Sequence, residues 1–200
     1  EAVETAGKLA DVSGNIKNSQ VILIDAGHGG VDSGMVGVND LKEKGINLEI
    51  SMKLKAILEK KGFAVVMTRE EDRGLYEDNT KNMKAQDLQN RIAMIQKYSP
   101  VLSVSIHQNS YGDPQVKGLS IQEQMNDQLS VARPRAAKGN RTYYLLKRSS
   151  GVINIVECGF LTNPDEAALL QSEEYQEKVA NAVADGIGTY LEKQEEPEKN

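Results

Sequence analysis

The chain of 200 residues is 39% hydrophobic and carries a formal net charge of −5, enough for one compact domain with a substantial core and too little for two ordinary catalytic domains. The acidic balance excludes a nucleic-acid surface, which needs clustered Lys and Arg to displace counterions from phosphates, and points instead to a neutral or cationic partner. No apolar stretch approaches the ~20 residues of a membrane helix.

The sole cysteine, Cys158, cannot form an intrachain disulfide, and its place in an apolar strand reads as a small buried hydrophobe rather than a nucleophile. The chain starts at Glu1 without Met, which reads as processed, so the residues leave the compartment open. Residues 1–19 are polar and aperiodic and read as a flexible N-terminal segment. Residues 20–192 read as the single folded domain, and 193–200 as a charged tail. Within the domain, strand-like runs alternate with helix-period segments, which predicts an α/β fold with a largely parallel central sheet and helices on both faces.

In chain order, Val21 to Ile24 is the first strand, followed by Asp25-Ala26-Gly27-His28-Gly29-Gly30, where glycine allows turns that a Cβ would forbid. Glu43 opens a helix in which Ile46, Ile50, Leu54, Ile57 and Leu58 recur at helical spacing, with Gly62 as its stop. Phe63 to Thr68 is a strand, and Arg69 to Lys84 reads as a long acidic surface loop. Asp87 to Lys97 is a helix ended by Ser99-Pro100. In Val101 to His107 the alternation puts Leu102, Val104 and Ile106 on one face and Ser103, Ser105 and His107 on the other. Leu119 to Gln124 reads as mid-helix. Val152 to Glu157 is apolar on both faces except at Asn154, as a central parallel strand should be. Asn163-Pro164-Asp165-Glu166 is a helix start, and Glu173 to Leu191 is the last helix.

Ligand crevices in open α/β sheets lie beyond the carboxyl ends of the strands, and His28, His107 and Glu157 all fall at such ends. The chain has only two histidines, both in small polar loop contexts. With one carboxylate they make a His₂Glu set, which suits Zn²⁺ with an open position for water. Glu43 also reads as an ordinary charge complementing a helix dipole. Glu157 is harder to dismiss, because a carboxylate ending a buried strand costs several kcal/mol unless paired or functional.

Four segments carry a family resemblance: Ile24 to Gly30, Leu41 to Lys44, Ser105 to Asn109, and Val156 to Asn163. In that order they resemble the four signatures of the zinc-dependent N-acetylmuramoyl-L-alanine amidases of the Amidase_3 type, over about Val21 to Leu191. The segment Arg69 to Arg91 further resembles the germination-specific spore-cortex amidases of endospore formers. The resemblance implies that His28, Glu43 and His107 hold one Zn²⁺ and that Glu157 handles the proton. The substrate would be peptidoglycan, cut at the amide between N-acetylmuramic acid and L-alanine, outside the cytoplasm and in spore-cortex processing. Asp25, Asn109, Arg69 and Arg91 are candidates for orienting the ligands or for touching substrate. Asp25 would orient His28, and Arg69 and Arg91 would grip glycan or stem-peptide carboxylates, although a turn-former and surface ion pairs account for them equally.

Related amidases place a further strand after the glycine equivalent to Gly118, whereas here Gly118 runs straight into Leu119. The expectation is that the chain omits a stretch at that junction. A long helical insertion that would plug the site is also missing, so an open groove is expected, with the Arg69 to Lys84 loop as the candidate docking surface for a regulatory protein. Two other readings share the motifs: a zinc carboxypeptidase-like peptidase, and a non-catalytic wall-binding module that has kept the fold.

Overall fold

The computed structural model describes residues 20–109, 119–129, 139–140 and 142–195. The expected N-terminal segment and the Gly118 junction lie outside the described residues. The strands are β1 (Val21–Ala26), β2 (Ala64–Met67), β3 (Leu102–Asn109) and β4 (Ile153–Phe160). The helices are α1 (Glu43–Lys60), α2 (Met83–Tyr98), α3 (Leu119–Gln128), α4 (Tyr144–Arg148), α5 (Pro164–Leu170) and α6 (Glu173–Glu195). The four strands form one sheet in the order β2-β1-β3-β4, and every neighbouring pair is parallel.

The sheet is covered on both faces, so its strands are apolar in both directions. Ile22, Leu23 and Ile24 of β1 are fully buried. On one face, Ile22, Ile24, Leu102, Val104 and Ile106 pack with Ile46, Ile50, Leu54 and Leu58 of α1 and with Val179, Val183 and Ile187 of α6. On the other, Leu23 meets Ile92 and Ile95 of α2 and Leu145 of α4. Cys158 lies within the larger core, and burial pushes its thiol pKa up, as befits a structural residue.

The helix termini follow local capping chemistry. α2 begins four residues before the expected Asp87, because the Asn82 side chain accepts a hydrogen bond from Ala85 N at 3.0 Å. α5 starts as its sequence predicts, with Asn163 Oδ1 accepting from Asp165 N and Glu166 N. α6 continues through Glu195, so the first residues of the expected tail are helical. The five-residue α4 was not anticipated; it is too short to show a helical period.

The strand order has one consequence for function. β1 leads through α1 to β2 on one side of it, and the chain then crosses back to β3 on the other side. The connections leave β1 and β3 in opposite directions, so a crevice opens above their carboxyl ends. Replacing Leu54 with Ala, at the fully buried centre of the α1 face, is expected to lower the unfolding free energy by about 2–5 kcal/mol in urea denaturation.

Candidate functional site

β1 ends at Ala26, and Gly27 N still donates to Ile106 O at 3.1 Å, so the turn starts only after Gly27. His28 then adopts φ 61°, a left-handed conformation that costs an L-residue about 1 kcal/mol. Three contacts hold it there. Asp32 Oδ2 lies 2.9 Å from His28 Nδ1. Gly29 and Asp32 exchange backbone hydrogen bonds of 3.0 and 3.2 Å. Arg91 Nη2 donates to His28 O at 2.8 Å. The His107 ring packs against the α-carbon of Gly27, where any Cβ would overlap it.

Glu43, the first residue of α1, reaches across the strand ends. Its Oε1 accepts from Gln108 N at 3.0 Å and from Asn47 Nδ2 at 3.2 Å, and its Oε2 accepts from Met35 N at 2.7 Å. The carboxylate lies between the two imidazoles, with His107 Nδ1 2.9 Å from Oε1 and His28 Nε2 3.2 Å from Oε2. Donor atoms of His28, Glu43 and His107 all fall within 4.8 Å of one another, and the two rings meet edge to face at 4.9 Å. Burial alone would raise the Glu43 carboxyl, but the two histidines outweigh it and hold it far below the usual carboxylate range.

Strand register supplies the fourth residue. His107 of β3 pairs with Glu157 of β4, and in-register neighbours on parallel strands point to the same face. Glu157 lines one cavity of about 430 Å³ together with His28, Glu43 and His107. Its Oε2 is buried without a hydrogen-bond partner among the described residues. Burial raises its pKa, the nearby Glu43 charge adds to that, and the histidines only partly offset it.

One layer below, Asp25 accepts hydrogen bonds from Ser105 Oγ at 2.6 Å and Thr68 Oγ1 at 2.8 Å, and forms a buried ion pair with Arg91. Asp25 therefore braces three strand ends, and the acid on His28 Nδ1 is Asp32. Arg69 and Arg91 are 1% and 2% exposed. Arg69 donates to the carbonyls of Ala26, Gly27, Lys44 and Glu71, and Arg91 to those of Ala26 and His28 and to Asp87. Both guanidiniums are thus committed inside the protein, not presented as substrate grips or surface ion pairs. The Asn109 side chain lies outside the described residues. The 69–84 segment folds back onto the His28 loop, where Asp72 accepts from Gly30 N and Lys44 Nζ, and the Tyr76 hydroxyl accepts from Val31 N.

Sequence reasoning passed over Asp32 and Asn47. Asp32 carried a usable signal, an acid four residues after a histidine in a glycine-rich turn. Asn47 carried none, because it sits one helical turn after Glu43 among core positions.

An open parallel sheet with a His₂Glu cluster at its switch point, faced by an uncommitted glutamate, defines an α/β enzyme built for hydrolysis. The family described as N-acetylmuramoyl-L-alanine amidase, Amidase_3, matches residues 22–121 and 119–189. The chain belongs to this family and is an N-acetylmuramoyl-L-alanine amidase, an enzyme of peptidoglycan. The two matched blocks overlap over residues 119–121. A relative from Bacillus subtilis, the germination-specific N-acetylmuramoyl-L-alanine amidase, is 34% identical over 199 residues, covering 90% of this chain and 83% of its own length. Among solved structures, the CwlD amidase of Clostridioides difficile, in complex with the GerS lipoprotein, aligns with a TM-score of 0.81 and 34% identity. That alignment covers 86% of this chain and 98% of the other. The amidase AmiC2 of Nostoc punctiforme aligns with a TM-score of 0.74 and 29% identity, covering 88% and 98%.

The Asp25–Arg91 pair predicts an acid limb of stability. Burial alone would raise the Asp25 carboxyl, but Arg91 and Ser105 outweigh it and hold it at about 2. A depressed folded-state pKa gives stability that is complete above the ordinary value of 3.8 and is lost as the pH falls towards 2. Asp25→Asn, which leaves the buried guanidinium without its counter-charge, is expected to cost about 3–5 kcal/mol at neutral pH in urea unfolding. The variant's stability should also change less than that of the wild type between pH 4 and pH 2.

Proposed function

We propose that this amidase is zinc-dependent, with one Zn²⁺ held by His28, Glu43 and His107, and that Glu157 is its proton carrier. The donor set fits the ion: two imidazole nitrogens and one carboxylate converge from rigid elements, and the fourth side opens into the cavity. When bound, zinc would acidify a water and polarise the scissile carbonyl. Glu157 would accept the proton of the attacking water and return it to the departing alanine nitrogen, completing hydrolysis of the bond between N-acetylmuramic acid and L-alanine. Its raised pKa suits both directions of transfer. Asp32 would fix the His28 ring so that Nε2 faces the ion, and Asn47 with the amides of Met35 and Gln108 would fix the Glu43 carboxylate.

The observation that carries this reading is the convergence of three ligand atoms beside an unpartnered, buried Glu157 oxygen. Metal analysis of the purified protein, with product identification on peptidoglycan before and after chelation, tests it. Zinc near one ion per chain and new L-alanine amino termini that vanish on chelation are expected, and zinc-independent release would overturn it.

A spore-cortex role, acting outside the cytoplasm, is supported by the germination-specific name of the Bacillus subtilis relative. A regulatory protein partner is supported by the Clostridioides difficile neighbour, solved with a lipoprotein. No helix among the described residues is long and apolar enough to cross a membrane.

Glu157→Gln is expected to lower kcat by about 10²–10⁴-fold with zinc content retained, as read by turnover alongside metal analysis. Asp32→Asn is expected to weaken zinc about 10–100-fold in chelator competition, because the His28 ring loses the partner that sets its orientation.

A further inference from the structure

The cavity holding the two imidazoles extends along Lys84, Asp87 and Leu88 of α2. Two fixed cations line it, Arg91 and Lys84, and they differ in what is left of their charge. Arg91 is neutralised by Asp25 and Asp87. Lys84 is exposed, and among the described residues no hydrogen bond or ion pair engages its ammonium. Two acids that line the cavity with it are already committed. Asp32 takes His28 on one oxygen and Gly34 N on the other. Asp87 takes Leu75 N and Arg91 Nε.

Helix stability does not explain this residue. Lys84 is the second residue of α2, whose first turn contains no acid, and a cation there opposes the helix dipole. A cation without a hydrogen-bond or ion-pair partner among the described residues, at a dipole-unfavourable position on the wall of a cavity that contains the reacting centre, suits an anionic ligand. The peptidoglycan stem peptide carries carboxylates, and a chain of net charge −5 otherwise repels them. A lysine ammonium is a compact point charge on a flexible stem, suited to meeting a single carboxylate without a fixed fork geometry.

The geometry points to Lys84 as a specificity-determining residue that receives a stem-peptide carboxylate on the leaving-amine side of the scissile bond. This assignment rests on the amidase reading above. It hands the carboxylate-binding task, expected from sequence for Arg69 and Arg91, to the one cavity cation that remains available.

The test uses the zinc-loaded full chain and two soluble muropeptides that differ only in whether the stem carboxylates are free or amidated. Wild type is expected to favour the free acid by about fivefold in kcat/KM, the range of an exposed ion pair. The preference should appear in KM and shrink at high salt. Lys84→Met should abolish it, Lys84→Arg should restore it, and Lys84→Glu should invert it. A wild-type enzyme that cleaves both muropeptides equally, or a preference that survives Lys84→Met, overturns the Lys84 assignment alone. No muramoyl–alanine cleavage of either compound by wild type overturns the amidase reading and the assignment together.

Discussion

Beneath the site, a carboxylate and a guanidinium are buried side by side, and most of the site's geometry can be traced to their pairing. Breaking such a pair leaves an uncompensated charge in a low-dielectric interior, at a cost of about 3–5 kcal/mol, so Asp25 and Arg91 must stay together whenever the chain is folded. What remains of their hydrogen-bonding capacity reaches outward. Asp25 takes the hydroxyls of Thr68 and Ser105, just past β2 and within β3. Arg91 gives its other protons to the carbonyls of Ala26 and His28 and to Asp87. One ion pair thus ties the rims of three strands to α2, and it holds the backbone of His28 in its left-handed turn.

Above that foundation, two glutamates occupy the same cavity and are treated in opposite ways. Glu43 is saturated: three N–H donors and two imidazoles surround it, and its pKa is driven down. Glu157 has a buried oxygen with no partner among the described residues, and its pKa is driven up. Carboxylates pushed apart in this way suit different chemical roles, which supports the division proposed above between a charged, fixed Glu43 and a proton-carrying Glu157. The difference comes from position. Glu43 heads a helix among backbone amides, whereas Glu157 lies within β4, where the backbone amides are engaged in the sheet.

Much of this was legible before any coordinates. The period-two alternation of Val101 to His107 and the apolar run up to Glu157 place those two side chains towards the carboxyl ends of their strands, although β3 runs on to Asn109 and β4 to Phe160, and that they lie side by side needed only the parallel register. The glycines around His28 mark a turn, and the spacing after Glu43 marks a helix. Long-range partnerships were not legible. Nothing local distinguishes a buried arginine from an exposed one, so Arg69 and Arg91 read as substrate grips or surface pairs until the fold wrapped carbonyls around them. Asp25 precedes His28 by three residues, but on a strand it points down into the sheet's rim, while Asp32 returns to the ring through a tight turn. The onset of α2 was hidden because its capping Asn82 lies in a stretch that is uniformly polar.

The burial of the two arginines also shapes the electrostatics that a substrate meets. Asp25, Asp32, Glu43, Asp87 and Glu157 all lie at one end of the sheet, and five acids there would raise one another's pKa values and repel an anionic ligand. Arg69 and Arg91 offset this from underneath, as the coupling of Arg91 to Asp25 and Asp87, and of Arg69 to Asp25, Asp72 and Asp87, records. Because both guanidiniums are buried and committed to internal partners, that of Arg91 on the cavity lining included, their charge is withdrawn from anything that binds. Any attraction for an acidic peptide therefore has to come from the wall itself, and Lys84 is the lysine that lines it.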